Sequence, residues 1–220
     1  MSQANVTRRP LPSRHSNPFA TCWTRPGAIE FQFAPGESVA QLVAKLAAAN
    51  WCGEIIGPHG SGKSTLLATL APHLTAAGRT VTSLCLRDGE RRLSQNFVRE
   101  SLASSRPLLI IDGCEQLSWF ARWVVLARCR RASAGLVVTS HRSLGLPSLY
   151  QTHSNLQLAE ELVSILTAHI SSPISIADVA ASHACHGSNL REVFFALYDR
   201  HEALRDVASS PERTAAHVST

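Results

Sequence analysis

Gly57-Pro58-His59-Gly60-Ser61-Gly62-Lys63-Ser64-Thr65 constrains this chain more than any other segment. It fits the pattern GxxxxGK[ST], in which each residue type has a separate physical task. Glycines let the backbone take positive φ angles, so that successive N–H groups turn inward on one point. A helix starting directly behind them adds partial positive charge at its N-terminus, so the loop is a cradle for phosphate groups. Lys63 would reach the outer phosphates of a polyphosphate, the Ser64 hydroxyl a divalent cation, and Thr65 would lie near the innermost phosphate. The chain has only two lysines, Lys45 and Lys63, against nineteen arginines. A lysine at the one position where this chemistry needs it, in a chain that otherwise uses arginine, strengthens the reading.

The surroundings fit. An apolar run at 51–56 predicts a strand before the loop. Leucines 66, 67, 70 and 74 predict an amphipathic helix over 63–77 after it, ended by Gly78. Further strands are predicted at 29–33, 80–86, 108–111, 136–139 and 148–152. Helices are predicted behind the Ser38 cap, at 93–104 and at 117–132. Strands alternating with helices imply a parallel sheet covered on both faces, a three-layer α/β/α arrangement. After residue 153 the pattern is helical only, at 156–170, 176–184 and 189–207, with Ser188 as the expected cap of the last helix. The expected organisation is a disordered basic tail at 1–28, an α/β core at 29–152, a small C-terminal helical lid at 153–207 and a tail at 208–220.

Leu108-Leu109-Ile110-Ile111-Asp112 is an apolar strand ending in a carboxylate, and it resembles the Walker B motif of P-loop NTPases, whose aspartate holds the Mg²⁺ shell. Lys63 and Asp112 lie 49 positions apart, which leaves room for one helix, one strand and one further helix. Local loop sequence is similar to that of transporter-type ABC ATPases, but no LSGGQ-type signature precedes Asp112, and no NKxD-like motif suggests a guanine-nucleotide switch. The spacing instead resembles AAA+ and related additional-strand ATPases over about residues 51–206. Their hhDEAxxL pattern is similar to Ile111-Asp112-Gly113-Cys114-Glu115-Gln116-Leu117, with one departure: Gly113 stands where a water-activating glutamate is expected. Glu115 is the nearest carboxylate. It either reaches back to the site or caps the next helix, where the dipole favours an anion. The resemblance further implies a sensor 1 residue among Thr139, Ser140 and His141, and a sensor 2 arginine at Arg191 in the last lid helix.

Charge is unevenly placed. The formal net charge of +5 comprises +4 over residues 1–29, none over 30–115, +5 over 116–159 and −4 over 160–220. The basic centre could attract nucleic acid. The preferred reading is internal complementarity, the acidic C-terminal part packing on the basic centre, since no aromatic-interleaved basic motif is recognised there. Six widely spaced cysteines, with no CxxC pair, are expected to be reduced thiols. His183, Cys185 and His186 lack the second ligand pair that a zinc site would want. No apolar run is long enough to span a bilayer and the first 25 residues have no apolar signal core, so the expectation is a cytoplasmic protein without a membrane span.

Taken together these residues imply a small ATPase with ATP and Mg²⁺ as ligands, Lys63, Asp112 and Glu115 as catalytic groups, and a lid that couples nucleotide state to an unidentified protein partner or to self-assembly. Two alternatives stay open: a nucleotide-dependent binding switch with weak or no hydrolysis, which Gly113 motivates, and a small-molecule kinase.

Overall fold

A computed structural model describes residues 17–209. In chain order the elements are α1 (Thr21–Thr24), α2 (Val39–Ala48), β1 (Cys52–Ile56), α3 (Lys63–Ala76), β2 (Thr80–Cys85), α4 (Gln95–Leu102), β3 (Pro107–Asp112), a 3₁₀ turn (Cys114–Gln116), α5 (Trp119–Arg131), β4 (Gly135–Ser140), β5 (Ser148–Gln151), α6 (Leu156–Thr167), α7 (Ile176–His186) and α8 (Leu190–Ser209). The five strands form one parallel sheet in the order β2-β3-β4-β1-β5. This is the expected α/β fold of P-loop NTPase type, three layers followed by a helical piece.

Alternation along β3 shows how the layers form. Leu108 and Ile110 point to one face, where they meet Leu66, Leu70 and Leu74 of α3 and Leu46 of α2. Leu109 and Ile111 point to the other, where they meet Val125 and Cys129 of α5. All four β3 side chains are at most 2% exposed, as a strand covered on both faces requires. The strand order reverses beside β1, and the carboxyl ends of β1, β3 and β4 open there onto one crevice. Such a switch point is where parallel sheets place ligands.

The helical piece has its own core, built from Leu162, Leu166, Val179, Val193, Phe194 and Leu197. Three sequence expectations change here. Residues 17–28, expected within a disordered tail, are packed: Phe19 is fully buried in this helical core, and Asn17 donates from Nδ2 to the Tyr198 carbonyl at 3.1 Å. One large aromatic is enough to fix a segment whose composition otherwise reads as loop. Residues 1–16 and 210–220 lie outside the described residues. Second, residues 29–33 form no strand. Phe31 and Phe33 instead pack edge-on against Tyr150, at 5.6 and 6.0 Å between ring centroids, and the Phe31 N–H donates to Thr69 Oγ1. Third, α8 begins at Leu190, one residue later than expected, which puts Asn189 rather than Ser188 in the cap position.

No direct ion pair joins the acidic helices to the basic centre among the described residues. The apolar cluster of those helices is separate from that of α5, and none of Arg122, Arg128, Arg130, Arg131 and Arg142 forms an ion pair among the described residues. Moreover, α5 interleaves its arginines with exposed Trp119, Phe120 and Trp123, a pattern the sequence reading overlooked.

The packing of Phe19 generates a prediction. Phe19→Ala should cost about 3–5 kcal/mol of stability in a denaturant titration, the usual range for emptying a buried phenyl site. A cost below about 1 kcal/mol, within what surface changes do, would show that the segment is not part of the core.

Candidate functional site

The loop between β1 and α3 folds as its glycines dictate. Gly60 and Gly62 have φ of +70° and +91°, and Gly62 is the residue from which α3 starts. Space matters as much as torsion. A Cβ on Gly57 would lie 2.0 Å from Thr152 Oγ1, and one on Gly60 would lie 1.9 Å from Asn189 Oδ1. The loop is thus pressed between the end of β5 and the start of α8. Ser61 Oγ locks it from within, donating to the Pro58 carbonyl at 2.8 Å and sharing a 2.6 Å hydrogen bond with Thr152 Oγ1.

Lys63 lies in the first turn of α3 and is only 9% exposed. Its ammonium donates to the carbonyls of Gly57 and Pro58 at 2.6 and 2.7 Å. Burial lowers its pKa, and the nearby carboxylates of Glu115 and Asp112 oppose that shift. The side chain is therefore a cation held against the inside of the loop, neutralised only in part. Ser64 and Thr65 follow it, both half-buried.

Asp112 connects three elements. Its Oδ2 accepts from the Ser64 hydroxyl at 2.6 Å, and its Oδ1 accepts from the Thr139 hydroxyl at 2.5 Å. Thr139 Oγ1 in turn accepts from the Gly113 N–H at 2.8 Å. A hydroxyl and a carboxylate in contact are hard oxygen ligands of the kind Mg²⁺ takes in small number, leaving its other positions to water and phosphate. Among the described residues no group of three or more His, Cys, Asp or Glu side chains could hold a metal by itself.

Gly113 takes φ +80°, and a Cβ there would be 3.3 Å from the Leu86 carbonyl. A side chain at the place where the resembled pattern has its glutamate would be strained by that torsion and pressed against the Leu86 carbonyl. The chain instead enters the 3₁₀ turn, which carries Glu115 back toward the loop. Glu115 does not cap α5; Ser118 does, accepting from the Ala121 N–H. Glu115 Oε1 lies 2.8 Å from His141 Nε2, while its Oε2 is buried with no hydrogen-bond partner. His141 Nδ1 sits 3.1 Å from the Gly57 carbonyl and 3.3 Å from Lys63 Nζ, and its ring lies 3.6 Å from that of His59. Burial lowers the His59 pKa, and His141 and Lys63 lower it further.

The three sensor 1 candidates separate. Thr139 orients Asp112, the buried Ser140 hydroxyl donates to the Arg142 carbonyl, and His141 is the one of the three whose side chain reaches the loop. Arg191 is exposed at the start of α8, close enough that its charge lowers the pKa of both Lys63 and His59. Two residues at the site carried no signal in the sequence. Thr152 is fully buried behind the loop, and Asn189 turns a buried, unpartnered Oδ1 toward Gly60. Neither belongs to a motif, since each acts by filling space that only the folded chain defines.

No protein-family model matches the chain, and no curated protein matches it. Solved structures do. The replication initiator DnaA, bound to AMPPCP and single-stranded DNA, aligns at a TM-score of 0.55 with 14% identity, over 81% of this chain and 66% of that one. The chain thus spans just under two thirds of that protein's length. C. elegans PCH-2 aligns over 87% of this chain and 73% of that one, with 14% identity and a TM-score of 0.39. The DnaA likeness concerns the fold alone.

The conformation of Gly113 is testable. Gly113→Glu restores the resembled sequence pattern, yet it should destabilise the protein by about 1–2 kcal/mol, the cost of a left-handed torsion for a residue with a Cβ. An unchanged denaturation midpoint would contradict this account of the turn.

Proposed function

We propose that this chain binds Mg-ATP at the crevice between the 57–62 loop, the end of β3 and the end of β4, and that it hydrolyses it. The observation that carries the reading is the Ser64–Asp112 contact. A loop hydroxyl and a strand-end carboxylate, 48 positions apart, meet at 2.6 Å beside a buried ammonium. Loop amides and Lys63 would hold the phosphates, and Ser64 and Asp112 would hold Mg²⁺. The ion, when bound, supplies charge neutralisation at the transferred phosphoryl group. As nucleotide enters, Lys63 exchanges its two carbonyl partners for phosphate oxygens.

Glu115 takes the part that Gly113 cannot. Its unpartnered Oε2 accepts a proton from the attacking water, whose oxygen bonds to the γ-phosphorus as the bond from that phosphorus to the bridging oxygen breaks. ADP leaves with the electron pair. His141 is a positioning residue: it holds Oε1 and so aims Oε2. Asn189 and Arg191 give the helical lid its contact with the loop, so nucleotide state is read by α8. None of the described helices is long and apolar enough to cross a membrane, and the six cysteines are free thiols. A cytoplasmic setting is consistent with both.

Phosphate release at saturating Mg-ATP tests the catalytic assignment. Glu115→Gln should lower turnover by about 10²–10⁴-fold, the span general base catalysis supplies, while leaving nucleotide affinity within a few-fold of wild type. Turnover equal to wild type would remove Glu115 from the chemistry. Bound nucleotide with no turnover in the wild-type chain would assign it to the switch reading instead.

A further inference from the structure

The face of the sheet that carries α5 is incompletely covered. Parallel strands are normally joined by a crossover of a dozen or more residues, usually containing a helix. The link from β4 to β5 must pass over β1, yet it occupies only residues 141–147 and has no helix. A groove remains between that link and α5. Two cavities of about 320 and 550 Å³ run along it, the first mostly apolar and the second bordered also by Asn50, Arg130 and Ser133, and they share Leu126, Leu136 and Leu146. The α5 wall presents Trp119, Trp123, Leu126 and Arg130, at positions i, i+4, i+7 and i+11 of one helix. Over eleven residues that is about 16 Å, or three helical turns.

The groove is pre-formed. Glu54 in β1 is a buried carboxylate, 1% exposed, with no task in the nucleotide site. It accepts from Ser143 Oγ at 2.6 Å and from the Leu144 N–H at 2.7 Å, and so pins the opposite wall. The buried thiols of Cys114 and Cys129 line the floor, and burial raises them to about 12 and about 11, so they stay neutral. The rim is different in kind. Trp119 and Trp123 are 75% and 61% exposed, and Arg122 and Arg130 stand among them without ion-pair partners in the described residues.

These features define what fits. Aliphatic side chains can fill a floor that descends to Leu136 and Val138, whereas the polar edges of nucleic-acid bases would be left unpaired there. Phe120 and Trp123 also stack on each other, at 25° and 6.3 Å, instead of presenting spaced platforms for bases. The unpaired arginines call for carboxylates. Residues 1–16 and 210–220 do not have this character: the first carry Arg8, Arg9 and Arg14 and no acid, and the second contain Pro211 and one large aliphatic, Val218.

We propose that this groove receives an amphipathic helix of another protein, its apolar side chains seated between α5 and the 141–147 link and its carboxylates on Arg122 and Arg130. Selection of a phage-displayed library of 16-residue helical peptides against the full chain tests it. Enriched peptides should carry apolar residues at i, i+3 or i+4, and i+7, with a net negative charge. Trp123→Ala and Arg130→Glu should each weaken their binding about tenfold or more, as loss of a central anchor does, with Mg-ATP affinity unchanged in both variants. Enrichment without an acidic bias, or binding indifferent to both substitutions, would overturn the proposal. So would binding of an oligothymidylate that Trp123→Ala abolishes, or a concentration-dependent dimer of the chain that Trp123→Ala dissociates. The first would make this a nucleic-acid face and the second a self-association face.

Discussion

The two oxygens of Asp112 are the point on which the site depends. One is held by Ser64 from α3 and the other by Thr139 from β4, so a single carboxylate fixes the loop, β3 and β4 relative to one another. Hydrogen bonds to a charged acceptor are worth about 1.5–3 kcal/mol each, more than neutral ones. Here they also set the geometry of the proposed cation site. The crevice inherits its rigidity from the sheet and its polarity from three chain segments that end there.

The same network explains why the chain departs from the pattern it resembles. The Gly113 N–H is committed to Thr139, and its left-handed torsion strains any side chain placed there. In the proposed reading a carboxylate approaches the phosphates from further along, from Glu115 in the 3₁₀ turn. His141 completes the arrangement by anchoring one oxygen of Glu115 while leaving the other unpartnered. Loss of a motif residue and gain of a His–Glu pair are in this view one structural event.

Much of this was legible beforehand, for identifiable reasons. The loop and the strand that ends in Asp112 are encoded locally, by glycines that take positive φ and by a continuous apolar run. Leu108–Ile111 announces a doubly covered strand by being apolar throughout. What was not legible depends on packing between distant segments. Phe31 and Phe33 alternate as a strand does, but their partner is Tyr150, more than a hundred residues away, and it draws them into an aromatic cluster. Phe19 looked like part of a tail because nothing nearby in sequence needs it. Charge sums carry no information on direction, and none of the α5 arginines forms an ion pair among the described residues. Thr152 and Asn189 are visible only as the atoms that glycine substitutions at positions 57 and 60 would strike.

The central claim is that the buried ammonium of Lys63 and the loop around it grip a triphosphate. Calorimetric titration of the purified chain with Mg-ATP, beside the Lys63→Ala variant, tests it most directly. The account predicts saturable binding by the wild type and a loss of at least tenfold in the variant, about 1.4 kcal/mol or more. Equal affinities, or no binding by the wild type, would contradict it.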